Sequence, residues 1–235
     1  MKAPIKLAAP LAAASAALAL AVPAASAATT TIREENATGA PYTGNWQVST
    51  VGTLDFSIDF LGSKVTGSCE SAKLQGTVVP TGAGELTAAS IGACQTSNGF
   101  SSPPTDLDLG DLPDNSGQVA YDPVSGGRDG TLSINGDLRF KIEGKVLGLT
   151  VTCYYGFRTG DTEGLVFDVY NRDNPNRPLP DRDDAQGRSD NITLVRQSGS
   201  SGLCPSNGTG SGAAIARGES TPGSGVFDRK LYLTS

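Results

Sequence analysis

Period-two alternation is the strongest signal along the chain. In TLDFSIDF, Leu54, Phe56, Ile58 and Phe60 fall on one face while Asp55, Ser57 and Asp59 fall on the other. That is the pattern of a strand with one face buried and one in water. Similar short runs recur at AKLQGTVV (72–79), DGTLSING (129–136), DLRFKIEG (137–144), LGLTVTCYYGF (147–157), GLVFDVY (164–170), NITLVRQ (191–197) and VFDRKLYLT (226–234). Asn135-Gly136 between two of them predicts a type I′ hairpin, which needs positive φ at both central residues. No stretch past residue 27 keeps a helical period over three turns. Short strands separated by glycine-rich turns predict an all-β fold, an antiparallel β-sandwich or barrel.

Two segments break the pattern. Residues 101–128 are rich in proline and glycine and carry Asp106, Asp108, Asp111 and Asp114. Residues 171–190 hold three prolines, four arginines and five aspartates. Both read as long loops, and loops of that length are functional or disordered more often than not. The first predicts a junction between two related halves, about 45–100 and 129–235. The second is expected to project from the body.

The first 27 residues read differently from the rest. Lys2 and Lys6 precede an alanine-rich apolar run that ends at Ala25-Ser26-Ala27, the layout of a cleaved secretory signal peptide. Its removal leaves residues 28–235, with 16 basic against 24 acidic residues and a net charge of −8. Such a field repels polyanions, so nucleic acid is not the expected partner. No later segment is apolar enough to span a membrane as a helix. The expected location is extracellular or at the cell surface.

Histidine is absent. Its absence removes Ser-His-Asp and Cys-His nucleophile systems and every histidine-ligated metal. Aspartic-protease and two-carboxylate glycosidase chemistry need spacings that the chain does not display. The expected class is therefore not an enzyme.

Four cysteines, Cys69, Cys94, Cys153 and Cys204, are an even set in an exported chain and read as two disulfides. Three pairings are open; Cys69–Cys94 with Cys153–Cys204 is the most local. The stretches GSCESAKLQGTVVPTGAGELTAASIGAC, GLTVTCYYG and SGLCPSNGTGSGAAIARGES resemble a group of exported β-proteins of actinobacteria. In those proteins a cysteine opens a strand, a second closes a Gly/Ser/Thr-rich hairpin, and a later pair precedes a glycine-rich stretch. Here Cys69, Gly76, Val78 and Cys94 stand at the first element, and Cys204, Gly208 and Gly210 at the last. The resemblance implies secretion, disulfides and β structure, and carries no activity.

Three candidate sites follow. Asp181, Asp183, Asp184 and Asp190 supply clustered carboxylates of the kind calcium takes, although an EF-hand starting at Asp181 would put Ala185 and Gln186 at its fifth and sixth positions. Asp106, Asp108 and Asp111 form a second acidic cluster. Trp46, Tyr42 and the Tyr154-Tyr155 pair could offer flat amphipathic faces to a glycan or a protein, though adjacent tyrosines on a strand point to opposite sides, so one belongs in the core. The expected function is a secreted binding or cell-surface interaction module with a protein or glycan partner. A structural coat, a protein inhibitor displaying 171–190, or a carboxylate-dependent hydrolase stand as alternatives.

Overall fold

A computed structural model describes residues 29–60, 62–97, 107–108, 114–135, 138–146, 148–159 and 162–235. The signal-peptide stretch lies outside them. Seventeen strands and no helix occur among the described residues. The first seven are β1 (Thr31–Glu34), β2 (Gly44–Thr50), β3 (Leu54–Phe60), β4 (Ser63–Cys69), β5 (Ala72–Val78), β6 (Ala83–Ile91) and β7 (Cys94–Thr96). Then come β8 (Leu107–Asp108), β9 (Asp114–Tyr121), β10 (Gly130–Ile134), β11 (Arg139–Val146) and β12 (Leu149–Thr159). The last are β13 (Thr162–Glu163), β14 (Leu165–Tyr170), β15 (Ala185–Arg196), β16 (Asn207–Gly218) and β17 (Arg229–Thr234).

Antiparallel pairing runs β2–β5–β6–β9–β10–β14–β15–β16 and returns to β2. Eight strands thus close into a barrel, leaving no exposed edge around that ring. Of the two architectures expected, this is the barrel. Three staves continue past a kink into a second stretch: β2 into β3, β5 back from β4 and β6 into β7. The two long strands β15 and β16 run through both stretches. At this far end the order is β7–β4–β3–β16–β15–β12–β11–β8. Gly52, at φ 80°, makes the β2–β3 kink in a backbone region that a side chain would resist. Residues 45–100 and 129–235 therefore both supply staves to one ring.

Three expectations need correction. Residues 114–121 lie inside the supposed junction 101–128, yet they are β9, the stave that closes the ring between β6 and β10. The sequence there alternates weakly because it has few large apolar groups. Residues 185–190 belong to β15, so the connection is only 171–184, and its ends are buried at Asn171 and Asp184. Finally, β10 and β11 flank Asn135-Gly136 but do not pair. One lies between β9 and β14, the other between β8 and β12. Gly136 itself is outside the described residues.

The glycine-rich stretch 207–218 is the most connected strand, bonding to β15, β2, β3 and β17. Its glycines are tolerated because large neighbours fill the space: a Cβ on Gly208 would stand 2.4 Å from Ile58 Cγ2, and one on Gly218 2.6 Å from the Tyr42 ring. Along β15, Ala185, Gly187 and Ser189 are buried before a bulge, and Ile192 and Leu194 after it. The one extra residue restores the inward phase that period two would otherwise lose.

Each end of the barrel has its own stopper. At the near end β1 and β17 form a two-stranded ribbon, joined to the ring where Lys230 and Arg229 of β17 pair with Arg217 and Gly218 of β16, that drives Ile32, Leu231 and Leu233 into the core. Asn171 binds that ribbon as a strand would, donating from Nδ2 to the Leu233 carbonyl (2.8 Å) and accepting the Leu233 N–H at Oδ1 (2.7 Å). At the far end Cys69–Cys94 joins β4 to β7 directly across the ladder, and Cys153–Cys204 ties β12 to the loop before β16. Both bridges are buried with Phe56, Phe140, Val151 and Tyr155. Two disulfides fit an oxidising compartment.

Candidate functional site

The structure distributes the expected site residues in ways that remove most of them from the surface. Trp46 is buried and donates from Nε1 to the Thr77 carbonyl at 3.0 Å. Tyr155 is fully buried, with its hydroxyl on the Pro205 carbonyl at 3.2 Å, and burial pushes its phenol up to about 12. Tyr42 is buried as well; its oxygen donates to the Asn45 carbonyl and accepts the Glu219 N–H at 2.9 Å. These three rings are interior packing, which corrects their reading as binding faces. For Trp46 and Tyr155 the reason is phase: each occurs on the inward side of its strand, where an aromatic body and one hydrogen bond satisfy a core position, whereas Tyr42 packs inward from the connection between β1 and β2. Tyr154 alone of the set is half-exposed, beside Gly199.

The four aspartates do not converge. Asp184 is buried and receives both Nε (2.8 Å) and an Nη (3.1 Å) of Arg217. Asp183 is exposed, bonded to Lys230 Nζ and 3.6 Å from Arg172 Nε. Asp190 pairs with Arg188 at 2.7 Å, and Asp181 is exposed. Among the described residues no three acidic, cysteine or histidine groups gather around a point that a metal could fill. Asp183, Asp184 and Asp190 serve separate cations, so calcium coordination by this set is corrected to ion pairing at those three. Of the second acidic cluster, Asp106 and Asp111 lie outside the described residues.

What the far end does offer is a groove of about 540 Å³ on its outer wall, over β3, β4, β7 and β16. Two rows of side chains cross it from strand to strand. One row is Gln95, Ser68, Asp55 and Ser211, each opposite the next. The other is Ser97, Thr66, Ser57 and Thr209: Ser97 N–H bonds to the Thr66 carbonyl at 2.8 Å, and Ser57 lies opposite both Thr66 and Thr209. Neighbours within a row stand about 4.8 Å apart, the spacing of strands in a sheet. Ser57, Ser68 and Ser211 are half-buried and make the floor, whereas Asp55, Lys64, Thr66, Gln95, Ser97 and Thr209 are exposed around it.

The floor can lie close to the core because Gly67 has no side chain. A Cβ there would stand 2.0 Å from Cζ of Phe56, whose ring fills the space beneath and meets Phe140 edge-on with centroids 5.9 Å apart. Among the described residues Asp55 is the single carboxylate lining the groove, held by the Thr53 hydroxyl at 3.0 Å, and Lys64 is the single cation. The arrangement donates and accepts hydrogen bonds across an extended polar surface.

Sequence reasoning passed over this set. Asp55, Ser57, Thr66, Ser68, Thr209 and Ser211 were visible as the polar phase of alternating runs, and a polar phase ordinarily marks only solvent exposure. Their signal is the recurrence of Thr-x-Ser, at TGS (66–68) and again at TGS (209–211), on two strands that β3 and β16 bring to one wall. No protein-family model, curated protein or solved structure matches the chain.

Proposed function

We propose that this chain is a secreted, non-catalytic binding module whose outer groove takes a neutral, hydroxyl-rich ligand, a glycan in chemical class. The observation that carries the reading is the pair of four-residue polar rows in a 540 Å³ groove. Hydroxyls both donate and accept, so they match a sugar's own hydroxyls in either sense. A groove with one carboxylate and one ammonium brings little net charge, which favours a neutral ligand over an ionic one. Secretion is supported by the signal-peptide pattern and the two bridges.

The test is a glycan array probed with the oxidised protein and with Ser57→Leu and Thr209→Leu. Both positions face outward, so the fold is retained while the floor at Ser57 or the flank at Thr209 is filled. Binding should fall at least tenfold in either variant. A protein that binds no glycan, or binds equally well with the floor filled, refutes the reading.

The inhibitor alternative keeps one specific support. The connection 171–184 is held stiffly, with the Gln186 amide spanning both the N–H and the C=O of Leu179 at 2.7 Å each and Arg177 bonding the Asn174 and Pro180 carbonyls. A loop pre-set in this way suits a protease cleft. A panel of secreted serine and cysteine proteases, assayed with and without the protein, separates the two.

A further inference from the structure

We infer that the waist of the barrel is a second binding site, which takes a small apolar molecule or the end of an apolar chain. This site is independent of the groove. Where the ring passes from its near to its far stretch, Ala72, Ala89, Gly212 and Ala214 bring small side chains together from β5, β6 and β16. They leave a cavity of about 90 Å³, whose walls include Leu54, Leu74, Phe157 and Phe167. Those four large side chains belong to the inward face yet are only half-buried. Protein interiors are otherwise packed like organic crystals, with few voids larger than a water.

Water is a poor occupant. An ordered water needs two to four polar partners, and of the three hydroxyl residues lining the cavity, Thr50, Ser90 and Ser189, two are already engaged. Thr50 Oγ1 accepts the Ala72 N–H at 2.8 Å, and Ser189 Oγ donates to the Val166 carbonyl at 3.4 Å. An apolar guest instead supplies the dispersion contacts that the wall lacks. For scale, an engineered apolar cavity of about 150 Å³ holds benzene or xenon, so the waist admits xenon or roughly four to five carbons. Val48 is a shared wall between this cavity and one of about 70 Å³ under the terminal ribbon. A longer chain could reach the second space by displacing that one side chain.

The experiment uses the oxidised protein with ¹³C-labelled methyl groups, titrated with xenon and with n-alkanes from propane to hexane. Shifts should saturate and be confined to methyls of Ala72, Ala89, Ala214, Leu54 and Leu74. At ten times the dissociation constant, the melting temperature should rise by roughly 3–6 °C. Affinity that stops increasing near butane marks a closed waist, and affinity that climbs through hexane marks entry past Val48; either pattern upholds the site. Ala214→Leu fills the cavity, and the milder Gly212→Ala places a methyl 3.1 Å from Leu54 Cδ1. Whichever of the two folds should bind xenon at least fivefold more weakly. Absent shifts, shifts scattered over the surface, or undiminished affinity in both variants overturn the proposal.

Discussion

The two ends of the barrel meet the same physical demand by different means. A closed ring of eight strands leaves apolar side chains facing water at each mouth. At the near end the chain's own outlying strands, β1 and β17, fold back and insert Ile32, Leu231 and Leu233. Side-chain polar bonds then fasten the ribbon: Asn171 to the Leu233 backbone, Arg229 to Glu34, Lys230 to Asp183, and the Tyr232 hydroxyl to Asp173 at 3.1 Å. At the far end two disulfides and the Pro205 loop do the sealing, and Tyr155 is packed beneath. Covalent closure acts largely by restricting the unfolded chain, while the ribbon acts only through contacts in the folded one. The near end should therefore answer to pH and side-chain truncation, and the far end to reductant.

Removing the longer bridge gives the largest expected effect. Cys153→Ser with Cys204→Ser opens a closure of 51 residues and should cost roughly 4 kcal/mol on the loop-entropy account. Hydrogen exchange should speed up first in β12 and the loop before β16, with the ribbon still protected. Equal acceleration of both ends would erase the distinction.

Leu233→Ala should come next, at about 3 kcal/mol for a buried leucine truncated in a core, measured by urea denaturation. Here exchange should rise in β1 and β17 while the disulfide end holds. Asn171→Leu leaves the buried Leu233 N–H and C=O without partners and should cost about 2 kcal/mol. If it costs nothing, the ribbon is retained by its apolar side chains alone.

The smallest effects are pH shifts that tell the ends apart. The Lys230 hydrogen bond holds the Asp183 carboxyl below its ordinary value of 3.8, and the N–H groups of Gly225 and Gly223 hold Glu219 below 4.5. Groups lowered on folding contribute fully above those values and lose the contribution as pH falls below them. Acid should thus loosen the near end, and Asp183→Asn should flatten that response. Burial pushes the phenols of Tyr155 and Tyr232 up to about 12, helped at Tyr232 by its bond to Asp173. Their contribution is complete below pH 10 and is lost as pH rises toward 12. Tyr232→Phe should remove the alkaline step at the ribbon, and Tyr155→Phe the one at the far end, each followed by near-ultraviolet circular dichroism.

How much was legible beforehand differs residue by residue. The run Leu54–Phe60 showed its strand and its buried face because large apolar groups recur there at every second position. Strand β16 did not, since its inward positions are glycines and alanines, and the space at Gly208 and Gly218 is filled by Ile58 and Tyr42 from elsewhere in the chain. Trp46 and Tyr155 were visible as aromatics, but whether a ring is core or surface depends on which side of the strand the barrel closes. The groove residues read as ordinary solvent-facing polar positions until β7, β4, β3 and β16 were seen side by side.

By itself, then, the sequence determined what is local: short alternating strands, no helix among the described residues, no histidine chemistry, and cysteines placed for bridging. Tertiary structure alone decided what depends on distant partners. Ring closure through β9, the ribbon formed by residues 31–34 and 229–234, the pairing of Asp184 with Arg217, and the two polar rows all join positions far apart in the chain. A backbone hydrogen bond or a facing side chain is satisfied equally well by any neighbour of the right shape, so the identity of that neighbour is fixed only when the whole ring closes.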